Sequence, residues 1–297
     1  MSRYLDPKND IVFRKIFGEH AHLLMSFLNA VLPLPADSPI VKLDYLEREH
    51  VPHFVTLKRT IADVKCTDEQ GRVFIVEMQM NWTDSFKQRL LFGASQAIAT
   101  QLDQGEDYKL LQPVYGLGLI AAIFDKTDPD WYHHYRLTKK GKPDGEVIDQ
   151  LQLIFIELPK FPVHSSEEKQ RRLLWLRFLR EINERTETVS EELTAIPEIA
   201  EAMHFAERAA FTKGQITAYN AYWDAVRVER TMKADGYAEG EAKGYAKGEA
   251  KGLVQGRAEG IELVAVNMLR ENKSIEEITR LTGLSLQTIV ALRDTLV

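Results

Sequence analysis

Apolar residues recur at helical spacing near the start of the chain. Val12, Phe13, Ile16, Phe17, Leu23, Leu24, Phe27, Leu28 and Val31 follow an i, i+3, i+4 pattern, and Pro33-Leu34-Pro35 ends it. This predicts one helix over residues 7–32. Residues 40–45 read as a short strand. Two runs rich in β-branched and aromatic residues, 60–66 and 73–80, flank the polar segment Thr67-Asp-Glu-Gln-Gly71, which predicts a β-hairpin with a glycine-containing loop. A second amphipathic helix follows over residues 84–102, with Leu90, Leu91, Ala94, Ala97, Ile98 and Leu102 as its apolar stripe and Thr83 as a candidate cap. Residues 113–124 are nearly all apolar, as expected of a strand buried on both faces. Residues 131–137 and 147–158 supply two more strand candidates.

From Glu167 onward the pattern turns helical, with segments at 171–184, about 191–208, and on through Lys233. No convincing strand follows Leu158. The order helix, hairpin, helix, strand predicts an α/β fold: a mixed central β-sheet flanked by helices, then an all-helical C-terminal region. The composition shift near Val163-His-Ser-Ser166 divides the chain into residues 1–165, a helical extension 166–233 and a segment 234–297.

That last segment carries a regular feature. Glycine recurs at 236, 240, 244, 248, 252, 256 and 260, an unbroken four-residue period. Each glycine inside an exposed helix costs up to about 1 kcal/mol relative to alanine. A bare stripe lets another helix approach closely, so the pattern fits a long helix that pairs with a second one; a frayed glycine-rich helix is the other reading. Ser274-Ile-Glu-Glu277 matches a capping box and opens a short helix that Thr282-Gly-Leu-Ser285 ends before another over residues 286–296. The pair resembles a helix-turn-helix. Its basic residues are only Lys273, Arg280 and Arg293, few for a groove-reading element, which favours contact with protein.

Composition narrows the picture. The chain has 297 residues, 44% hydrophobic and 28% charged, as in an ordinary globular protein. Its single cysteine, Cys66, excludes an intramolecular disulfide and a cysteine-based zinc finger, and its place in a strand marks it as a small core residue. No run approaches the ~18 apolar residues of a membrane span, and the N-terminus lacks an apolar signal core, so a cytoplasmic location without membrane attachment is expected. A formal net charge of −6 argues against a surface coated with basic residues, though not against a local basic groove.

Candidate chemistry centres on the hairpin. Folding the chain about Glu69 or Gln70 sets Asp63 opposite Val76 or Glu77, and Glu77 and Gln79 share one face of their strand. If the register brings Asp63 to that face, two carboxylates stand ~5 Å apart at Cβ and can grip one hard divalent cation. Asp10, in the first turn of the first helix, is either such a ligand or an acid favoured by the helix dipole. Gln88, Arg89 and Gln96 project from the second helix toward one groove or belong to its solvated face.

These residues resemble the recombination-promoting nuclease (Rpn) family, a bacterial branch of the PD-(D/E)xK nuclease superfamily. The resemblance runs through Asn9-Asp-Ile-Val-Phe-Arg-Lys-Ile-Phe-Gly18, Phe27-Leu-Asn29, Ala62-Asp63, Val76-Glu-Met-Gln79, Arg89, Gly105-Glu-Asp-Tyr108, Glu157-Leu-Pro-Lys-Phe161 and Ser274 to Leu284. It implies a restriction-endonuclease-like core over residues 1–165 and a Mg²⁺-dependent DNA endonuclease of little sequence specificity. In that reading Mn²⁺ or Ca²⁺ can substitute for Mg²⁺. Asp63 and Glu77 hold the metal, Asp10 assists, and Gln79 orients the attacking water. Lys65, Lys87, Arg89 and Gln96 contact the DNA backbone. Two departures stand out: Ala62 replaces the motif proline, and Gln79 replaces the motif lysine. Lys65, Lys58 or Arg89 is a candidate for the missing positive charge. The resemblance further implies roles in DNA recombination, mobile elements or phage defence, and a homodimer or other homo-oligomer through the C-terminal helices. The rival expectation is a catalytically weak nuclease fold that binds DNA or protein.

Overall fold

In a computed structural model, which describes residues 3–46, 64–141, 145–161 and 171–295, the helix expected over residues 7–32 is broken in two. Helix α1 (Asp10–Phe13) is capped by the Asn9 side chain, which accepts from Ile11 N at 3.0 Å. A wide π turn follows over Arg14–Gly18, and α2 (Ala21–Val31) starts only after His20 has left helical geometry. The apolar period misses this break because both halves bury the same side. Phe13, Phe17 and Phe27 form one ring cluster with centroids 4.8 and 5.0 Å apart.

Among the described residues the sheet has six strands: β1 (Leu43–Tyr45), β2 (Val64–Asp68), β3 (Val73–Gln79), β4 (Val114–Ile120), β5 (Tyr132–Thr138) and β6 (Val147–Glu157), in spatial order β1-β2-β3-β4-β6-β5. The expected hairpin is present as the antiparallel β2–β3 pair, with Val64 opposite Val76. Its turn is held by a buried ion pair that the residue pattern does not announce. The Asp68 carboxylate accepts from the backbone N–H groups of Gln70 and Arg72 and from Arg72 Nε at 2.6 Å, while Gly71 supplies the left-handed residue, φ 80°. Strands β3, β4 and β6 run parallel, so Gln79, Ile120 and Glu157 line up at their C-terminal ends.

Each face of the sheet carries its own core. On one side Val64, Cys66, Phe74, Val76 and Met78 pack with α1, α2, α4 (Arg171–Glu181), α5 (Glu191–Thr194) and α6 (Pro197–Ala206), centred on Trp175 and Phe178. Cys66 is fully buried there, and burial pushes its thiol up to about 12, so it is a core residue rather than a nucleophile. On the other side α3 (Phe86–Ala99) lays Phe86, Leu90, Ala94 and Ala97 on Val73, Ile75 and Phe155. Its approach depends on two glycines of β4. A Cβ at Gly116 would lie 2.9 Å from Leu153 Cδ2, and one at Gly118 would lie 2.8 Å from Phe86 Cε1. Thr83 does not cap α3 with its hydroxyl; its backbone carbonyl accepts from Phe86 N instead.

Helix α7 runs unbroken over Lys213–Arg270, with the glycine ladder inside it, and a Cβ added at any ladder glycine would meet no atom within 4 Å. The chain forms two compact units, Met1–Val228 and Glu229–Val297. The first holds both cores, including fully buried Tyr219, whose hydroxyl accepts from Asp6 N at 3.1 Å. In the second, α8 (Ile275–Thr282) and α9 (Leu286–Asp294) close around Ala265, Ile278 and Ile289. Ser274 caps α8 as the capping pattern predicts, Ser285 caps α9 in the same way, and Gly283 ends α8 at φ 74°. The boundary at residue 165 falls in the segment 162–170, outside the described residues. Among the described residues, no helix is long and apolar enough to cross a membrane.

Candidate functional site

Glu77 stands near the C-terminal end of β3, opposite Gly118 of β4. Side-chain alternation puts it on the face that α3 covers. Because Gly118 has no side chain and Phe86 lies over it, the carboxylate is enclosed: Glu77 is only 4% exposed. One oxygen, Oε2, accepts from Arg89 Nε at 3.3 Å. The other, Oε1, is buried and has no hydrogen-bond partner among the described residues. Leaving a buried carboxylate oxygen unsatisfied costs on the order of 1–3 kcal/mol or more. Burial pushes the Glu77 carboxyl above the usual carboxylate range, and the Arg89 charge offsets this only in part.

Two residues further along β3, Gln79 completes the arrangement. Its Oε1 accepts from Arg89 Nη2 at 2.6 Å, and its Nε2 donates to the Asn81 carbonyl at 2.6 Å. Arg89 thus spans both β3 residues, resting 4.9 Å over the Phe86 ring with 39% of its side chain exposed. The structure therefore brings three of the expected residues, Glu77, Gln79 and Arg89, into one cluster. Asp63 and Lys58 lie outside the described residues. Lys65 sits on β2 opposite Ile75, on the same sheet face as Glu77. Asp10 approaches Arg14 Nε at 2.6 Å, one helical turn on, although off the hydrogen-bond axis. The π turn that follows, not the turn of Asp10 itself, packs near the start of β2, since a Cβ at Gly18 would lie 3.9 Å from Val64 Cγ2. Gln96 is exposed in the second half of α3. Lys87 lies among aromatic rings, 4.2 Å from the Phe124 centroid, and donates to the Tyr135 hydroxyl.

One oxygen here, Glu77 Oε1, is of the kind a hard cation satisfies, while Glu77 Oε2 and Gln79 Oε1 both accept from Arg89. Among the described residues, which do not include Asp63, no group of three or more His, Cys, Asp or Glu side chains is placed to hold a metal.

A second acidic centre on the same face has no counterpart in the sequence reading beyond the quoted Glu157-Leu-Pro-Lys-Phe161. Glu157, fully buried at the end of β6, accepts from Lys160 Nζ at 2.6 Å and His133 Nε2 at 2.9 Å on Oε1, and from Phe124 N at 2.7 Å on Oε2. Lys160 Nζ also donates to the carbonyls of Asp128 and Asp130. Both carboxylate oxygens are used, and together these bonds pin the β4–β5 loop to the sheet. The only sequence signal for it is an acid and a lysine three apart around Pro159.

Comparison with known proteins agrees with the architecture. Neither a curated protein nor a solved structure matches the chain. The family model for the PD-(D/E)XK nuclease family transposases matches residues 7–234, over three quarters of the 297 residues, and the chain belongs to that family.

Proposed function

We propose that the protein is a divalent-metal-dependent DNA endonuclease with little sequence preference, centred on Glu77. The observation that carries this reading is the buried, unpartnered Oε1 of Glu77, at the strand position where the family's motif calls for a metal ligand. Asp63, next in the chain to Val64, is the second ligand in this proposal, with Asp10 assisting through water. When bound, Mg²⁺, or Mn²⁺ or Ca²⁺ in its place, acidifies a water and neutralises charge on the scissile phosphate.

The chain's own residues do the rest. Arg89 supplies the cation that the motif lysine would have given. It lies within hydrogen-bond distance of Gln79 and is exposed enough to reach a phosphate oxygen. Gln79 keeps one amide hydrogen and one carbonyl lone pair beyond its two hydrogen bonds, which suffices to orient a water. Lys65 and Gln96 extend the contact to the DNA backbone, and such contacts make activity fall steeply with salt.

In the same proposal residues 1–165 form the nuclease core, 166–233 its helical extension, and 234–297 an assembly segment through which copies pair. Recombination, mobile-element upkeep or phage defence in a bacterial cytoplasm are the settings that fit. A second reading is a catalytically weak fold acting as a DNA-binding or protein-contact module. Gln79 in the lysine position and the Arg89 grip on Glu77 favour it. Plasmid nicking separates the two. With Mg²⁺ the wild type is expected to nick DNA, while Asp63→Ala and Glu77→Ala fall by at least ~100-fold, as for loss of a key electrostatic group. Equal nicking by all three would sink the proposed site, and no nicking by any of them would favour the second reading.

A further inference from the structure

Beside Glu77 the sheet face carries a wall of aromatic rings. Trp82 and Phe124 stack at 4.6 Å with planes 25° apart, and Tyr135 meets Phe155 edge-on at 5.6 Å. Lys87 Nζ lies 4.2 Å from the Phe124 centroid, 5.3 Å from that of Tyr135 and 5.9 Å from those of Trp82 and Phe155. The wall is continuous with the site, since Arg89 rests on Phe86 and Phe86 meets Trp82 at 6.0 Å.

Packing alone accounts for part of it. Phe86 and Phe155 are fully buried and seat α3 on the sheet. It does not account for Tyr135, which keeps 45% of its surface exposed on the outer strand β5, nor for a cation held against partly exposed Trp82 and Phe124. Interleaved rings and cations beside a phosphodiester-cutting site suit a nucleic-acid strand. The neighbouring charges narrow the choice of contact. Asp84 is exposed and accepts from Trp82 Nε1 at 3.3 Å, Asp125 is half-buried beside Phe124, and Lys87 and Lys160 lie against the Phe124 ring, so the wall carries both signs of charge, whereas a neutral nucleobase is accepted on a ring face. A duplex keeps its base faces inside the stack, and only an unpaired strand offers them.

We propose that Trp82, Phe124 and Tyr135, with Lys87, form a base-stacking platform, and that the substrate is single-stranded or locally unpaired DNA whose backbone crosses Arg89 while its bases lie on the wall. This rests on the nuclease reading of Glu77.

The test measures anisotropy of a labelled thymidine homopolymer and of a blunt duplex of equal length, with full-length protein and no divalent ion. Wild type is expected to bind the single strand more tightly. Tyr135→Ala should lose about tenfold for the single strand, within the range for one base-aromatic stack, and less than twofold for the duplex. Tyr135→Phe, which keeps the ring, should bind as wild type does. Tyr135 is half-exposed, so its loss is not expected to unfold the chain; Trp82→Ala is the second variant and should show the same selectivity. No single-strand preference in wild type, or equal losses for both DNAs, would overturn the platform. Binding that follows the expected pattern in a protein that cuts nothing with Mg²⁺ would keep the platform and remove the nuclease reading.

Discussion

Glu77 and Glu157 occupy comparable places, near the C-terminal ends of parallel strands and under 5% exposed, yet their surroundings are opposite in kind. Glu157 receives a lysine, a histidine and a backbone N–H, so both its oxygens are satisfied. Among the described residues Glu77 receives one arginine on one oxygen and nothing on the other. A buried carboxylate whose hydrogen bonds are complete holds a loop. One that is left incomplete, next to a half-exposed cation, costs stability that a bound cation or a proton recovers. Burial alone therefore does not distinguish the two acids; the unused oxygen does.

The largest expected effect breaks the satisfied centre. Glu157→Ala takes from Lys160 and His133 the buried carboxylate they share, leaving Lys160 only the Asp128 and Asp130 carbonyls, and should cost about 3–5 kcal/mol in urea unfolding. A loss under about 1 kcal/mol would mean that the staple holds nothing. Next comes the glycine that lets α3 lie on the sheet. Gly118→Ala would put a Cβ 2.8 Å from Phe86 and 3.1 Å from Phe155, both rings buried. The expected cost is about 1–3 kcal/mol, as for other overpacked sites, and DNA cleavage should fall with it because Arg89 rides on α3. A Gly118→Ala variant as stable as wild type would show that the helix is not held this closely.

Glu77→Gln should move stability the other way and by less. The folded-state pKa of Glu77 is raised, so the folded protein holds that proton more tightly than the unfolded chain does. Its contribution is thus most favourable below the ordinary carboxylate pKa and is lost as pH rises through the raised value. Melting curves should show the Glu77→Gln variant gaining on wild type between about pH 4.5 and pH 7. A gap that does not change with pH would contradict the burial argument. The smallest effect serves as a contrast to Gly118. Gly248→Ala, in open space on α7, should stabilise the helix by roughly 0.5–1 kcal/mol in circular dichroism melts. Light scattering on the same variant tests the proposed assembly: dissociation would reveal a helix packed on the ladder, and an unchanged mass would remove the ladder from it.

Much of the fold is legible because long apolar runs and strict alternation leave few options. The run at residues 113–124 and the hairpin at 60–80 lead directly to β4 and to β2–β3. The break between α1 and α2 is not legible, since a π turn that keeps Phe13, Phe17 and Phe27 in one core leaves the apolar period intact. Within the site, the resemblance points to Glu77, Gln79 and Arg89, but that Arg89 touches both others is a product of helix–sheet packing. Lys87 reads from the sequence as a backbone contact, whereas its surroundings come from Trp82, Phe124, Tyr135 and Phe155, brought together only by folding. The Glu157 staple is hidden for the same reason: His133 and Phe124 approach it from another strand and a loop.

The central claim, that the free oxygen of Glu77 awaits a divalent cation, is tested most directly by calorimetric titration of Mg²⁺ and Mn²⁺ into wild type and the Glu77→Gln variant without DNA. Wild type is expected to bind the ion and to melt at a higher temperature in its presence, and the variant to show neither. Equal heats and equal thermal shifts in the two proteins would contradict it.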